Sequence, residues 1–471
     1  MTDPRDDIDT WLHGQVEPLH PPPGTFERIR KQARRRKTRR VLVSAVSAGA
    51  AAAVIVLAVV ALPGVVPSVL HLKSNPASES SAADRPVTSA PAHATSHAAT
   101  SPTPSPDGRA SHPVLHGPPP PVPGNFAATS VTFVSQSDGW VIGQAGTPGH
   151  CFNGNVCTSL ARTDNGGRTW FGLHAPVTGS PDGGTGVSQI RFLDGVNGWA
   201  FGPALWATHD SGQNWTAIPL GGRRVLSLET VGSQAFAVVA RCTGIGADFA
   251  AGCTRFWLYS APASGGNWTQ VPGTSRVSVP AGSAGSATIV LTGTQGYWYT
   301  PDGMLLSGPV TQGASWSAVG TSALPCAPGA PQPDGRPSGG QLAASGPGDL
   351  ALGCPGSDQA GGSQQESIYV SPDGGQHWQQ KSSVPFDGTA TSLAAASGVM
   401  ALATSHSIEV SADDGGSWRT AHRGPAGGFS YVGLTSSSQG VAVPADPGQH
   451  AVWFSFDGGQ HWARSPITGG G

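Results

Sequence analysis

The acidic side chains of this 471-residue chain fall in a pattern. Five similar segments end in a tryptophan, and four of them place an acid five residues before it: TDNGGRTW (163–170), THDSGQNW (208–215), SPDGGQHW (371–378), SADDGGSW (411–418) and SFDGGQHW (455–462). In register they read Ser/Thr-x-Asp-x-Gly-x-x-Trp. Asn165 stands in the first where Asp210, Asp373, Asp413 and Asp457 stand in the others. A carboxylate two residues after a hydroxyl and just before a glycine suits a tight turn. It can accept backbone N–H bonds there, while the glycine takes a positive φ that other residues resist. The tryptophans Trp170, Trp215, Trp378, Trp418 and Trp462 can each bury roughly 150–250 Å². The chemistry indicated is turn anchoring, not acid–base catalysis. Two decayed copies keep only the Gly and Trp, Gly265/Trp268 and Gly313/Trp316, with Ala263 and Thr311 at the Asp position; looser turns are expected there.

The seven terminal tryptophans are spaced 45, 53, 48, 62, 40 and 44 residues apart. A second element precedes most of them: SDGWVIG (137–143), VNGWAFG (196–202), QGYWYT (295–300) and QGVAVP (439–444). Val187–Leu220 shows a whole unit, with an alternating strand, a turn, a Trp-bearing strand, a third strand, the Asp turn and a fourth strand. Four strands per 40–50 residues is the signature of β-propeller blades. The expected fold is all-β, a seven-bladed propeller over 125–471. Gly 67 and Pro 42 exclude a helical bundle.

The pattern is that of the Asp-box, or BNR, repeat. The domain resembles the Asp-box propellers: sialidases, sortilin-type receptor domains, xyloglucanase-type glycosidases and, most of all, the photosystem II assembly factor-like family. The resemblance implies that the turns lie at the outer rim, away from a central channel where ligands bind. It is specific for fold and nearly uninformative for function. Sialidases resemble one another in an arginine triad, an Arg-Ile-Pro motif and a Tyr/Glu pair. No Arg-Ile-Pro occurs here. The three Glu (Glu229, Glu366, Glu409) and five Tyr (Tyr259, Tyr297, Tyr299, Tyr369, Tyr431) beyond residue 125 form no recognisable nucleophile pair.

Upstream, Val41–Leu62 is 22 residues without a charge, enough to cross a hydrocarbon core of about 30 Å. Nine basic residues precede it between Arg28 and Arg40; with Arg5 they are 10 of the 26 in the chain. By the positive-inside rule, residues 1–40 are expected in the cytoplasm, 41–62 as a single transmembrane helix in the lipid bilayer, and the rest outside. Residues 63–124, rich in Pro, Ala, Ser, Thr and His, read as a disordered stalk spanning roughly 40–50 Å. Its histidine pairs His93/His97 and His112/His116 read as solvated. From Phe126 onward there are 13 Lys/Arg against 19 Asp/Glu, which excludes a nucleic-acid surface.

All six cysteines lie beyond residue 150, as an oxidising compartment would favour. They fall in local pairs, Cys151–Cys157, Cys242–Cys253 and Cys326–Cys354, out of 15 connectivities. Three units have long loops between second and third strands (145–157, 241–253, 353–366), and Cys326 lies in a connection between blades. In a propeller those segments share one face, where binding tends to sit. Position alone makes His150, Asn153, Asp182, Arg241, Asp248, Asp334, Arg336 and Asp358 candidate contacts. Channel residues are expected from first strands near Thr132, Gln189 and Ser227. No catalytic residue, metal or cofactor is expected. The functional expectation is a membrane-anchored extracytoplasmic binding or assembly scaffold for a protein or cell-envelope glycan. The alternative is a glycoside hydrolase, with Asp194 or Asp248 facing Asp349, and a third reading is a transmembrane sensor.

Overall fold

The computed structural model describes residues 119–145, 158–179, 185–243, 252–279, 287–320, 324–326, 340–358 and 362–468. Within them the chain forms seven antiparallel sheets, each of four strands taken in sequence order. This is the seven-bladed propeller expected from the repeat. The innermost strands are Ala127–Phe133, Gln189–Phe192, Arg224–Val231, Thr288–Thr292, Gln341–Gly346, Ala390–Ala396 and Phe429–Leu434. Blade 3 carries an additional two-residue strand, Val277–Ser278, on its third strand.

Burial grades outward along each blade. The second strands are mostly buried, Gly198–Phe201 and Gly440–Pro444 at every residue, so they read as near-continuous apolar runs. The outer strands Thr216–Ala217, Thr269–Gln270 and Ser317–Ala318 are exposed. The glycine that opens the Gly-Trp strands has a packing reason. A Cβ at Gly139 would lie 2.5 Å from the Phe133 ring, and one at Gly198 would lie 2.6 Å from the Phe192 ring. The tryptophan after it couples neighbouring blades: Trp140 of blade 1 stacks on Phe192 of blade 2 at 3.9 Å and donates to Ser211 O at 3.0 Å.

Each interface between blades has its own apolar cluster. Trp298, Trp316 and Phe236 pack blade 3 against blade 4, while Phe429 and Trp453 pack blade 6 against blade 7. Ring closure involves no pairing of the first strand with the last blade. Ala127–Phe133 pairs with Gly139–Gln144 of its own blade. Among the described residues every blade is therefore complete from consecutive hairpins, and no strand is exchanged. The seam between blades 7 and 1 is closed by side chains. Phe133 meets Phe454 edge-on at 5.4 Å, Gln439 Nε2 donates to Gln136 O at 2.9 Å, and Trp170 Nε1 donates to Ser465 Oγ at 3.3 Å.

Two expected disulfides are formed, Cys242–Cys253 and Cys326–Cys354. The first staples one loop between second and third strands. The second ties the connection between blades 4 and 5 to the second strand of blade 5, which requires the shared face inferred from topology. Cys151–Cys157 lies outside the described residues, as do the cytoplasmic segment 1–40, the proposed span Val41–Leu62 and the stalk up to residue 118. Among the described residues no helix is long and apolar enough to cross a membrane.

Candidate functional site

The five repeated turns share one geometry. In blade 2, Thr208 Oγ1 donates to Asp210 Oδ1 at 2.8 Å and accepts the Gly212 N–H at 3.0 Å; Asp210 Oδ1 also accepts the Asn214 N–H at 2.9 Å. Ser371/Asp373/His377, Ser411/Asp413/Ser417 and Ser455/Asp457/His461 repeat the pattern within 0.2 Å. Asn165 takes the same part in blade 1, accepting the Thr169 N–H at 3.0 Å. Hydrogen bonds from His377 hold Asp373 far below the usual carboxylate range, and those from Ser417 bring Asp413 to about 2. Burial acts against Asp457, but its bonds from His461 and Ser455 outweigh that and bring it to about 2. Carboxylates this fully occupied by donors serve the turn and cannot deliver protons near neutral pH.

The central channel holds a cavity of about 420 Å³. Its wall comes from the inner strands of blades 2 to 7, which contribute aliphatic residues such as Ile289 and Leu393 and small hydroxyls such as Ser227, Thr288, Thr391 and Ser392. One charged pair stands among them. Arg191 Nη2 meets Glu229 Oε1 at 2.7 Å, with the two side chains 20% and 29% accessible. Burial opposes the Arg191 charge, yet the attraction of Glu229 and the contact with the Tyr431 hydroxyl outweigh it and raise its pKa further. Burial also pushes the Glu229 carboxyl above its usual range, and Arg191 pulls it only part of the way back. Arg191, Glu229 and Tyr431 thus bring a fork of donors, a carboxylate and a phenol together from three different blades.

The sequence-derived candidates meet this site at one point. Ser227 lines the cavity; Thr132 and Gln189 do not. Thr132 is buried and accepts the Phe192 N–H at 3.4 Å, and Gln189 lies against Gly202. Arg241 is exposed beside the Cys242–Cys253 staple, opposite Arg255 in the sheet, and stands apart from the cavity. Asp358 ends the second strand of blade 5. His150, Asn153, Asp182, Asp248, Asp334 and Arg336 lie outside the described residues. Asp194, imagined as a glycosidase acid, is a turn anchor: it accepts from Val196 N at 2.8 Å, Asn197 N at 2.7 Å and Asn197 Nδ2 at 2.9 Å. The residue missed was Arg191. Its signal is a charge inside the alternating run Gln-Ile-Arg-Phe, on the face away from the buried Ile190 and Phe192.

No family model matches this chain, and no curated protein matches it. Among solved structures it is similar to YCF48 bound to a D1 peptide, at 16% identity over 74% of this chain and 99% of that one, with a TM-score of 0.42. YCF48 from Cyanidioschyzon merolae is similar at 16% identity over 72% and 98%, with a TM-score of 0.42. A GH74 enzyme of Niastella koreensis is similar at 13% identity over 73% and 66%, with a TM-score of 0.35. The likeness at these identities concerns the propeller fold alone.

Proposed function

We propose that this chain is a binding or assembly scaffold, a propeller of Asp-box blades held outside the cell membrane by Val41–Leu62, and that its ligand, a protein segment or an envelope glycan, enters the central channel. The observation that carries the reading is the wall of the cavity. Among the described residues, Glu229 is the one carboxylate on it, and Glu229 is committed to Arg191 at 2.7 Å. A glycosidase of either stereochemistry needs a pair of carboxylates about 5–10 Å apart. A single ion-paired carboxylate beside a phenol and small hydroxyls orients a ligand instead. The uncharged 22-residue run behind nine basic residues supports the anchor, and the two formed disulfides support an oxidising compartment.

The test is the full-length chain in detergent micelles, applied to arrays of extended peptides and of envelope oligosaccharides. The reading expects retention that Arg191→Gln reduces by about tenfold, as loss of a charge-assisted hydrogen bond would. A panel of fluorogenic sialosides and glucans should show no turnover. Turnover that Glu229→Gln abolishes would replace the scaffold with the glycosidase.

A further inference from the structure

A second cavity, of about 470 Å³, opens on the outer rim where the end of blade 2 meets blade 3. Pro219, Arg223, Tyr259, Asn267 and Trp268 line it. It lies at the decayed third turn, and the decay changes what the tryptophan offers. In blades 2, 5, 6 and 7 the turn tryptophan donates its indole N–H to the turn glycine carbonyl, at 3.2, 3.1, 3.1 and 3.0 Å. Trp268 makes no such bond, and neither it nor the Tyr259 hydroxyl has a hydrogen-bond partner among the described residues.

The charge is uncompensated as well. Arg223 is the one ionised side chain on the cavity wall. Its guanidinium carbon lies 5.0 Å from the Trp257 ring centre and 5.7 Å from that of Tyr259. Its Nη1 donates to the Leu220 carbonyl at 3.3 Å, its buried Nε has no partner, and no carboxylate among the described residues pairs with it. Aromatic faces held rigidly beneath a cation leave it positioned and short of acceptors.

We propose that this groove binds a pyranose bearing a carboxylate, as in an acidic polysaccharide. The Trp268 indole face takes the C–H face of the ring. The Trp268 N–H, the Asn267 amide and the Tyr259 hydroxyl meet ring hydroxyls, and Arg223 takes the carboxylate in a planar fork. The site is separate from the channel and does not depend on what the channel binds.

The experiment is calorimetric titration of the full-length chain in detergent micelles with a hexamer of galacturonate. A neutral hexamer of galactose and decaproline serve as comparisons. The acidic hexamer should bind at least about tenfold more tightly than the neutral one. Arg223→Gln should erase that difference, and Arg223→Lys should restore part of it. Trp268→Ala should weaken both sugars by about tenfold or more, and Asn267→Ala, an exposed change that spares the fold, should weaken both to a smaller extent. Equal affinity for the two hexamers, an Arg223→Gln variant that still tells them apart, tighter binding of decaproline, or no binding of the acidic hexamer would each overturn the proposal.

Discussion

Blades 5, 6 and 7 close the turn before the outer strand with a carboxylate; blades 3 and 4 close it without one. In the first group a hydroxyl, a carboxylate and two backbone N–H groups satisfy one another inside the turn. In the second only backbone bonds remain, Gly265 N to Pro262 O at 3.2 Å and Ala314 N to Thr311 O at 3.2 Å. What holds blades 3 and 4 instead is cross-blade packing. Trp316 is 1% exposed and faces Phe236 of blade 3 at 5.4 Å. Its backbone N–H donates to Pro272 O at 2.8 Å, and its indole N–H donates to Pro309 O at 3.1 Å. Gly296 and Gly308 make room for the ring: a Cβ on either would lie 2.3 Å from it. Blade 3 adds the Cys242–Cys253 staple and the extra strand at 277–278. Blade 4 therefore lacks the polar lock within its turn and keeps an apolar wedge against blade 3, whereas blades 1 and 7 carry both the lock and a buried tryptophan.

The largest effect should come from removing the wedge. Trp316→Ala is expected to cost about 3–5 kcal/mol, the usual range for a buried aromatic cut to alanine. A shift of the urea midpoint with an unchanged slope would show it. A loss below about 1 kcal/mol would mean that blade 4 is held by something other than this side chain.

A carboxyl without donors behaves in the opposite way from one in a turn, and blade 5 holds both kinds. Glu366 is 2% exposed, its Oε1 has no partner, and burial alone pushes it up to about 8. It shares the strand face of Ile368, which packs against Leu393, Met400 and Leu402 of blade 6. An acid whose folded pKa is raised adds stability that is complete below its usual value near 4.5 and is lost as pH rises toward 8. Glu366→Gln should flatten that decline. The variant should exceed the parent at pH 8 by on the order of 3–5 kcal/mol in urea titrations, and the two should converge near pH 4. Parallel pH profiles would show that Glu366 is ionised in the folded chain.

How much of this was legible follows from where each feature is encoded. The turns, the blade count and the same-face disulfide Cys326–Cys354 depend on local spacing, which a sequence displays directly. The channel does not. Which inner-strand residue faces it depends on phase, and a one-residue slip sends a side chain to the other face. The inner strands carry such slips, between Ala128 and Ser130 and in the pairing at Val238/Val239. Thr132 is turned to blade 2, where it accepts the Phe192 N–H; Gln189 shares the face of Arg191 but stands two residues earlier, against Gly202; Ser227 lines the cavity. Glu229 and Tyr431 were visible as scarce residues, but their meeting at Arg191 joins blades 2, 3 and 7, and no spacing rule reports that.

Acid should separate the two kinds of turn. Asp413 and Asp457, held at about 2, add stability that is present above the usual carboxylate value near 3.8 and is lost as pH falls toward 2. Hydrogen exchange, corrected for its intrinsic pH dependence, should show the Ser417 and His461 amides losing protection between pH 4 and pH 2. The Ala314 and Gly265 amides, bonded to carbonyls, should keep theirs over the same range. Equal loss in all four turns would mean that the carboxylates do not hold the turns that contain them.

The smallest effect is the most discriminating. Thr311→Asp restores the missing acid to the exposed blade 4 turn, yet it should change stability by less than about 0.5 kcal/mol. The lock needs its hydroxyl, and the position two residues earlier is Pro309, which has none. In the intact turns that hydroxyl both donates to the carboxylate and accepts the glycine N–H. Without it the new carboxylate gains at most one amide and remains hydrated. Adding Pro309→Ser to Thr311→Asp supplies both partners, and a double-mutant cycle should then show a favourable coupling of about 0.5–1 kcal/mol. Additive effects in that cycle would show that the carboxylate acts alone, and the hydroxyl would then be incidental to the turn. The corresponding change in blade 3, Ala263→Asp, should go the other way, because Ala263 is 5% exposed and a carboxylate there would lose its water without gaining a donor.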